Sequence, residues 1–316
     1  MTGSVEQATA VFLVGPTAVG KSAVAVSLAE RLGGEIISVD SMQVYRGLDI
    51  GTDKPSAEVQ RRVRHHLVDV VGLDDAFDTA RFVELAAHAE ADIRGRHRVP
   101  IFCGGTGLYF KAFLEGLGAT PPSHPRLRAE LETTPLPELL AELQQADPAT
   151  YTKIDRRNAR RVIRAVEILR LTGQPVSVLR PANPAGSAAC LAGRSPGLFA
   201  LSRAPADLRA RIDGRVDAMF AAGLVAETRR LLAQGLEHNR TAMQAIGYRQ
   251  VVEHLRGERT LDDTVALVKQ KTRQFAKRQM TWFRHQLPVQ WVSLTEPAAP
   301  ATVADQLAAG WRGAAL

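Results

Sequence analysis

The sequence predicts an α/β protein in which a parallel sheet carries helices on both faces and a helical domain is inserted into the chain. Three observations predict this class. Short apolar runs alternate with segments of helical spacing, a glycine-rich turn joins the first run to the first helix, and proline and leucine become frequent after Leu117. We expect residues 1–120 and 197–316 to form the core and residues 121–196 to form the helical insertion.

The first part of the core reads as alternating strands and helices. Val11–Val14 is a short apolar run closed by a glycine, and Lys21–Leu32 repeats apolar residues at helical spacing. Thr79–Arg94 has the same helical spacing. Further strands are predicted at Glu35–Val39, Leu67–Val71 and Val99–Cys103. Since strands that alternate with helices run parallel, both faces of the sheet should be covered.

The rest of the chain has a different character. Pro121–Pro196 has leucine-rich helical patterns interrupted by prolines, and Pro181–Gly197 at its end has the composition of a loop. An apolar run returns at Leu198–Leu201, and Ala206–Arg284 reads as a long helical region. Val289–Leu294 predicts a last strand, with an alanine-rich helix after it.

The composition is typical of a folded globular protein, with 45% hydrophobic residues in 316. No apolar run approaches the roughly 18 residues of a membrane span, so we expect no membrane partner. Met1–Ala10 lacks the basic start and apolar middle of a signal peptide, which predicts a cytoplasmic protein. The two cysteines, Cys103 and Cys190, are too few for a disulfide framework or a four-ligand zinc site.

The positive charge is clustered along the chain. Lys and Arg number 40 against 33 Asp and Glu, which gives a net charge of +7. Thr264–Gln290 contains no acidic residue, and a second basic cluster lies mid-chain. The basic residues are Lys269, Lys271, Arg273, Lys277, Arg278 and Arg284, and then Arg156, Arg157, Arg160, Arg161 and Arg164. A solvated helix face is the alternative for each cluster, but two such clusters favour a nucleic-acid partner.

The segment GPTAVGKS lies between the first strand and the first helix and matches the P-loop pattern. This pattern is a glycine, then any four residues, then Gly-Lys-Ser or Gly-Lys-Thr. Backbone N–H groups of such a turn point at phosphate oxygens, the lysine adds positive charge, and Ser22 offers a hydroxyl to Mg²⁺. This segment therefore predicts that the core contains a P-loop NTPase-like sheet. The loop alone leaves open whether the ligand is a nucleoside triphosphate or another diphosphate ester. The predicted phosphate-binding residues are Gly15, Pro16, Thr17, Ala18, Val19, Gly20, Lys21 and Ser22.

Two other strand ends should converge on this loop, because ligands of open parallel sheets bind beyond the carboxyl ends of the strands. Asp40 follows the second strand and is suited to accept a proton, although a helix cap or turn is its alternative role. Thr106 lies among three glycines and offers a hydroxyl, or it caps the next helix. His65-His66 is assigned no site. Trp282-Phe283 offers base stacking or core packing.

Seven segments together resemble one family, the bacterial tRNA dimethylallyltransferases, also called tRNA isopentenyltransferases. They lie in family order along nearly the whole chain. The segments are Gly15–Ser22, Ile37–Tyr45, Asp49–Pro55, Gly104–Tyr109, Arg160–Glu167, Ala245–Gln250 and Thr272–Arg284. The phosphate loop is unspecific by itself, whereas the last segment combined with the Asp-Ser and Gly-Gly-Thr motifs is highly specific.

The resemblance implies a dimethylallyl diphosphate donor, Mg²⁺, and as acceptor the exocyclic N6 of the adenosine 3′ of the anticodon in the tRNA anticodon stem-loop. It implies Asp40 as general base, Thr106 beside the diphosphate and Lys21 as the third catalytic residue. Arg211 and Arg215 are expected to bind the diphosphate. The tRNA-binding residues it implies are Asp40, Ser41, Met42, Gln43, Thr106, Arg128, Arg160, Arg161, Arg164, Gln244, Gly247, Tyr248, Arg249, Lys277, Arg278 and Arg284. Val19 and Ser22 depart from the residues common in the family, a small polar residue and threonine.

Three other functions compete with this one. A P-loop small-molecule or nucleotide kinase would use the loop on ATP but leave both basic clusters unexplained. A prenyltransferase of free adenine nucleotides would not need the insertion, and a non-catalytic RNA-binding protein would leave Asp40, Thr106 and Lys21 without a role. We expect the protein to be a monomer.

Overall fold

The computed structural model describes residues 10–117, 120–179, 197–295 and 299–314, with side chains as far as Trp311. Apart from Gly197, the predicted loop Pro181–Gly197 falls outside these residues, as does Cys190. The chain divides into two compact units, one of Met1–Phe113 with Cys190–Leu316 and the other of Leu114–Ala189.

Six parallel strands form a single sheet in the first unit, which confirms the predicted α/β class. The strands are β1 (Val11–Val14), β2 (Gly34–Val39), β3 (His65–His66), β4 (Val99–Gly104), β5 (Gly197–Arg203) and β6 (Gln290–Leu294). Their order is β3-β2-β4-β1-β5-β6. In this register Val14 lies beside Gly104, and Gly104 beside Val39, so the carboxyl ends of β1, β2 and β4 meet at one edge.

The strand predicted at Leu67–Val71 is wrong. The edge strand is His65–His66, which pairs with Ile36 and Ile37. Leu67 and Asp69 have φ of 62° and 56°, and such left-handed residues break a strand ladder. His66 Nε2 lies 2.7 Å from a carboxylate oxygen of Glu35, so the histidine pair belongs to the sheet edge.

Thirteen α-helices lie in the described residues, and the long helical region predicted after Ala206 is divided into four. Gly223, Gly235 and Gly257, with φ of 97°, 89° and 79°, provide left-handed turns between them. The helices are α1 (Lys21–Leu32), α2 (Ala57–Arg62), α3 (Thr79–Gly95), α4 (Gly107–Glu115), α5 (Pro125–Thr133), α6 (Leu136–Ala146), α7 (Pro148–Lys153), α8 (Ala159–Thr172), α9 (Pro205–Ala221), α10 (Leu224–Ala233), α11 (Tyr248–Leu255), α12 (Leu261–Gln286) and α13 (Pro300–Ala314).

Helices cover both faces of the sheet because successive strand residues point to opposite sides. Val11 and Leu13 belong to a buried cluster with side chains of α1 and α13. On the other face Phe12 stacks on Phe102 with ring centroids 4.8 Å apart, and Phe113 of α4 packs 4.6 Å from Phe102. The central strands β1, β2 and β4 are therefore buried on both sides, and their ends are left for ligands.

The second unit is helical in its described part and has its own core. Leu131, Leu139, Leu143, Val162 and Val166 are almost fully buried there. They come from α5, α6 and α8, whose apolar residues recur at helical spacing. Over the described ranges of both units, the helices are too short or too polar to cross a membrane.

Candidate active site

A cavity of about 380 Å³ lies at the carboxyl ends of β1, β2 and β4. The predicted phosphate loop, the turn after Asp40 and the glycine turn before Thr106 all contribute to its wall. Helices α9 and α12 and the segments 51–53 and 244–246 supply the remaining sides. Its lining includes Thr17, Lys21, Ser22, Asp40, Ser41, Met42, Gln43, Thr106, Arg215, Gln244, Arg278 and Gln279. The three loops that the sequence expected to converge do so.

The phosphate loop wraps around the first turn of α1. Gly15 has φ 148° and Gly20 has φ 106°, values that favour glycine, and a Cβ on Gly15 would lie 2.8 Å from the carbonyl oxygen of Leu201. Gly20 caps α1 and offers no side-chain acceptor to the first-turn N–H groups. These donors at a helix N-terminus form a natural anion site.

Lys21 lies at the wall of the cavity, where its ammonium group donates a hydrogen bond of 2.7 Å to the carbonyl of Pro16. Removal from water lowers the pKa of Lys21 to about 8, and the positive charge of Arg215 acts in the same direction. Burial raises the pKa of the neighbouring Cys103 to about 11, so that side chain stays a neutral thiol. The carboxylates of Asp40 and Asp53 act on the pKa of Lys21 in the opposite direction, and a bound phosphate would add further negative charge beside Lys21.

Asp40 both forms a turn and faces the cavity. Its Oδ1 accepts hydrogen bonds from the N–H groups of Met42 (2.8 Å) and Gln43 (3.2 Å). Thr106 joins this turn to the glycine turn, because its Oγ1 accepts the N–H of Ser41 at 3.2 Å. Asp40, Lys21 and Thr106 line one space, so a ligand can contact all three.

Both predicted diphosphate arginines reach the phosphate loop from α9. Arg211 Nε donates to the carbonyl of Ala18 at 3.0 Å, and Arg215 donates to Thr17 Oγ1 at 3.2 Å. Arg215 also pairs with Asp53 at 3.2 Å. The sequence reasoning missed Arg203, which donates to the carbonyl of Val19 at 2.9 Å. Its position at the carboxyl end of β5, next to β1, is the signal that could have found it.

Gln279 and Glu227 were missed, and Tyr248 was expected only to bind RNA, although all three hold the walls of the cavity. Gln279 of α12 joins the phosphate loop to the glycine turn. Glu227 and Tyr248 hold the backbone at Ile50 and Gly51, since Glu227 accepts the N–H of Ile50 at 3.0 Å and Tyr248 Oη accepts that of Gly51 at 3.1 Å. These links join distant parts of the chain, so periodicity gave no sign of them.

The predicted RNA-binding residues of the first unit do not share one environment. Tyr248 is fully buried with its hydroxyl on Glu227, so the expectation that its side chain contacts RNA is wrong. Phe283 is also buried, whereas Trp282 is partly exposed and packs on Gly107. Besides Asp40, Thr106 and Tyr248, nine predicted RNA-binding residues belong to this unit: five line the cavity, three are exposed and one forms a turn. They are Ser41, Met42, Gln43, Gln244 and Arg278 in the cavity, Arg249, Lys277 and Arg284 exposed, and Gly247 with φ 103°.

Four predicted RNA-binding arginines lie in the second unit. Arg160 and Arg161 are exposed in the first turn of α8. Arg164 and Arg128 instead donate to the carboxylate of the fully buried Glu167, at 2.7 and 3.2 Å. Burial would raise the pKa of Glu167, but hydrogen bonds from Arg164, Ser123 and the His124 N–H lower it below its ordinary value. These two arginines therefore stabilise a buried charge.

The chain matches the family model described as IPP transferase over residues 43–286. A relative named tRNA dimethylallyltransferase 1, from Trichlorobacter lovleyi, is 45% identical over 291 residues, which cover 91% of this chain and 94% of the relative. The protein named tRNA dimethylallyltransferase from Geobacter metallireducens is 44% identical, with coverage of 91% and 93%.

Solved structures of tRNA prenyltransferases are also similar to this chain. The full-length tRNA isopentenylpyrophosphate transferase from Bacillus halodurans has a TM-score of 0.69 and 35% identity, and the alignment covers 98% of each chain. A eukaryotic dimethylallyltransferase acting on tRNA has a TM-score of 0.75 and 26% identity, with 95% of this chain and 77% of that chain covered.

Proposed function

The chain belongs to the IPP transferase family and is a tRNA dimethylallyltransferase, and we propose that it moves a dimethylallyl group from dimethylallyl diphosphate to N6 of the adenosine 3′ of the anticodon. The observation that supports this reaction is the cavity in which the phosphate loop, Asp40 and Thr106 meet. The phosphate loop is suited to bind the leaving diphosphate, and Asp40 is suited to accept the proton. The relatives do not favour the kinase alternative.

The diphosphate end of the donor lies against the phosphate loop. When the allylic C–O bond breaks, its electrons pass to the leaving diphosphate, so negative charge grows beside Lys21 and the first turn of α1. Arg211 and Arg215 bring two more positive charges to the same loop. These groups are held in place before the reaction, so they need little reorganisation when the charge develops.

The dimethylallyl tail lies against the apolar side chains of the cavity lining. Val216 and Met219 of α9, Ile246, and Val268 and Phe275 of α12 contribute to it. Burying a five-carbon tail among such side chains favours binding by about 25 cal/mol for each Å² of apolar surface removed from water. The donor is thereby oriented with its diphosphate toward Lys21.

The acceptor adenine must leave its stack to enter this cavity, at a cost of a few kcal/mol. Its amino nitrogen then attacks the allylic carbon, the N–C bond forms as the C–O bond breaks, and the amino proton passes to the carboxylate of Asp40. Ser41, Gln43 and Arg278 line the same space and offer polar groups to the base and its backbone. The exposed cations of α12 offset the unstacking cost through phosphate contacts.

The cavity wall also fits a magnesium ion, which prefers oxygen ligands. The hydroxyl of Ser22 and the carboxylates of Asp40 and Asp53 face the space that Lys21 lines. Ser22 together with diphosphate oxygens would hold the ion. It would supply additional positive charge to the leaving group.

The test is to incubate the protein with labelled dimethylallyl diphosphate or labelled ATP, with and without bulk tRNA. Label should enter tRNA from the prenyl donor alone, and only when Mg²⁺ is present. Anticodon stem-loops with and without an adenosine 3′ of the anticodon then locate the acceptor. Label in free nucleotides, or tRNA-independent ATP turnover, would overturn the proposal.

We further propose a monomer that acts in the cytoplasm, since one copy of the chain brings the phosphate loop, Asp40 and Thr106 to one cavity and its substrate is tRNA. Sedimentation of the protein alone and with tRNA tests the first part. A stoichiometry other than one protein per tRNA would contradict it.

A further inference from the structure

Gln279 is a nearly buried amide in the middle of α12, with 7% of its surface exposed. It follows the exposed Arg278 in the sequence, and its side chain forms part of the cavity wall. The proposed mechanism assigns it no role, although it touches two of the loops that the mechanism uses.

The amide of Gln279 joins these loops through two hydrogen bonds. Its Oε1 accepts the backbone N–H of Thr17 at 2.8 Å, and its Nε2 donates to the carbonyl of Gly105 at 2.9 Å. Only one orientation of the amide satisfies both partners, because the N–H group needs an acceptor and the carbonyl needs a donor. Thr17 lies in the phosphate loop, and Gly105 directly precedes Thr106.

The close approach of α12 requires glycine on the opposing loop. A Cβ at Gly105 would lie 2.3 Å from Gln279 Nε2, and a Cβ at Gly107 would lie 2.2 Å from the ring of Trp282. Gln279 and Trp282 are three residues apart and therefore project from the same face of α12. Gly105 and Gly107 thus allow this face of α12 to pack against the cavity wall.

We propose that Gln279 is a positioning residue for the prenyl transfer: it sets the spacing between the loop that holds the leaving diphosphate and the turn that carries Thr106, which is bonded to the Asp40 turn. This inference rests on the proposed function. Catalysis by oriented groups is sensitive to displacements of about 1 Å, which cost up to roughly 100-fold in rate. Because α12 also carries Lys277, Arg278 and Arg284, the same amide ties the helix with these exposed cations to the reacting centre.

Gln279→Leu keeps the side-chain volume and removes both hydrogen bonds. We expect its kcat for prenyl transfer to tRNA to fall roughly 10- to 100-fold, with the Kd for tRNA changed less than about twofold. The matched control is Gln274→Leu, since Gln274 is exposed on the same helix. A wild-type kcat for Gln279→Leu, or an equal fall for the control, overturns the inference.

Gln279→Glu supplies a readout that simple packing would not change. A protonated carboxyl can donate to Gly105 and accept from Thr17, as the amide does, whereas a carboxylate faces the Gly105 carbonyl with no proton to donate. The ratio of its kcat to that of the wild type should rise by about fivefold or more between pH 8 and pH 5.5. A flat ratio contradicts the role.

The wild-type measurement separates the two proposals. If the wild-type protein transfers no prenyl group to tRNA, the proposed function fails. If the wild type is active and the two variants behave like it, only the role of Gln279 fails. Thermal melting shows whether each variant folds. If Gln279→Leu does not fold, the pH dependence of the kcat ratio of Gln279→Glu tests the role of Gln279.

Discussion

Asp40 forms a turn and also faces the cavity, so the two roles that its position after a strand left as alternatives are compatible. One carboxylate oxygen accepts two backbone N–H groups and fixes the turn, and the side chain also lines the cavity with Lys21. An Asp in such a turn is held in one orientation without help from another side chain. A fixed orientation favours proton transfer from a base placed in the cavity.

Replacing Asp40 by Asn should separate the two roles. Asn keeps the oxygen that accepts the N–H groups of Met42 and Gln43 but cannot take up the amino proton. We expect turnover to fall by about two to four orders of magnitude, with tRNA affinity largely unchanged. Single-turnover prenylation and filter binding measure the two quantities. Asp40→Ala, which loses the turn as well, should be about 1 kcal/mol less stable. Unchanged turnover in Asp40→Asn would remove this residue from the role of base.

Lys21 should make donor binding depend on pH. Its pKa of about 8 in the free protein is lowered from 10.5, so the ammonium is charged below pH 8 and neutral above it. The affinity for dimethylallyl diphosphate should therefore be full at pH 7 and fall roughly tenfold by pH 9. Phosphate groups, with a second pKa of about 6, do not titrate in this window. Calorimetry at several pH values checks this, and Lys21→Arg, which keeps its charge, should give a flat profile. A flat wild-type profile would contradict it.

At the scale of elements, two of the segments that resemble the family, Asp49–Pro55 and Ala245–Gln250, contact each other. Asp49–Pro55 passes the buried pair of Glu227 and Tyr248, whose side chains are 2.6 Å apart. Burial, together with the hydrogen bond to Glu227, raises the pKa of Tyr248 well above its ordinary range, so its hydroxyl stays protonated. A Cβ at Gly51 would lie 2.4 Å from the Tyr248 ring, which explains this glycine.

Tyr248→Phe should loosen this loop. The substitution leaves the Gly51 N–H and one oxygen of Glu227 without their hydroxyl partner, and such buried groups cost about 1–3 kcal/mol of unfolding free energy. Chemical denaturation measures the loss. The KM for the prenyl donor should also rise, because the loop carries Asp53, the partner of Arg215. Tyr151→Phe is the control, since its hydroxyl accepts from the exposed Arg156. Equal stability of the two variants would contradict this prediction.

At the scale of the whole molecule, the count of 40 Lys and Arg residues overstates the number of cations that are offered to RNA. Lys269 pairs with Asp217 at 2.6 Å and Arg273 pairs with Asp213 at 2.5 Å, so part of the basic cluster of α12 serves to attach α9. Arg128 and Arg164 likewise serve Glu167. The RNA-facing charge is therefore concentrated on fewer side chains than the count suggests.

The exposed arginines of the second unit should set the salt dependence of tRNA binding. Arg157→Gln and Arg161→Gln remove cations that lie at the surface before and within α8. The slope of log K against log salt should become shallower by about 0.7–0.9 for each phosphate that the variant no longer neutralises. Arg170→Gln on the same helix is the control, because Arg170 is paired with Glu130 and Glu142. Identical slopes for all three variants would argue against RNA at this surface.

Arg164→Gln should instead act on stability. Glu167 is fully buried, and removing one of its cations leaves it with Arg128 alone, at a cost of about 3 kcal/mol by analogy with broken buried ion pairs. The pKa of Glu167 is lowered in the folded protein, so its stabilisation is present above the unfolded pKa and is lost as pH falls through the folded value. The difference between wild type and variant should therefore shrink in acid. Urea melts at pH 7 and pH 4 measure it, and an equal difference at both would contradict it.

Much of the fold and part of the site were predictable from the sequence because the signals are local. A strand of period two, a glycine turn and a helix of period 3.6 occupy a few residues each, and parallel strands bring their carboxyl ends to one edge. That rule alone placed Asp40 and Thr106 opposite Lys21. The strand at Leu67–Val71 failed because a run of apolar residues does not reveal left-handed φ at Leu67 and Asp69.

The sequence by itself determined the parallel sheet, the phosphate loop and the helical character of the second unit, since each depends on residues that are neighbours in the chain. Only the tertiary structure decided which cations face solvent and which neutralise buried acids, and that Gln279 bonds to Thr17 across 262 positions. Such contacts depend on how whole helices pack on the sheet. No local periodicity encodes that packing, because it arises only when side chains far apart in sequence are buried together.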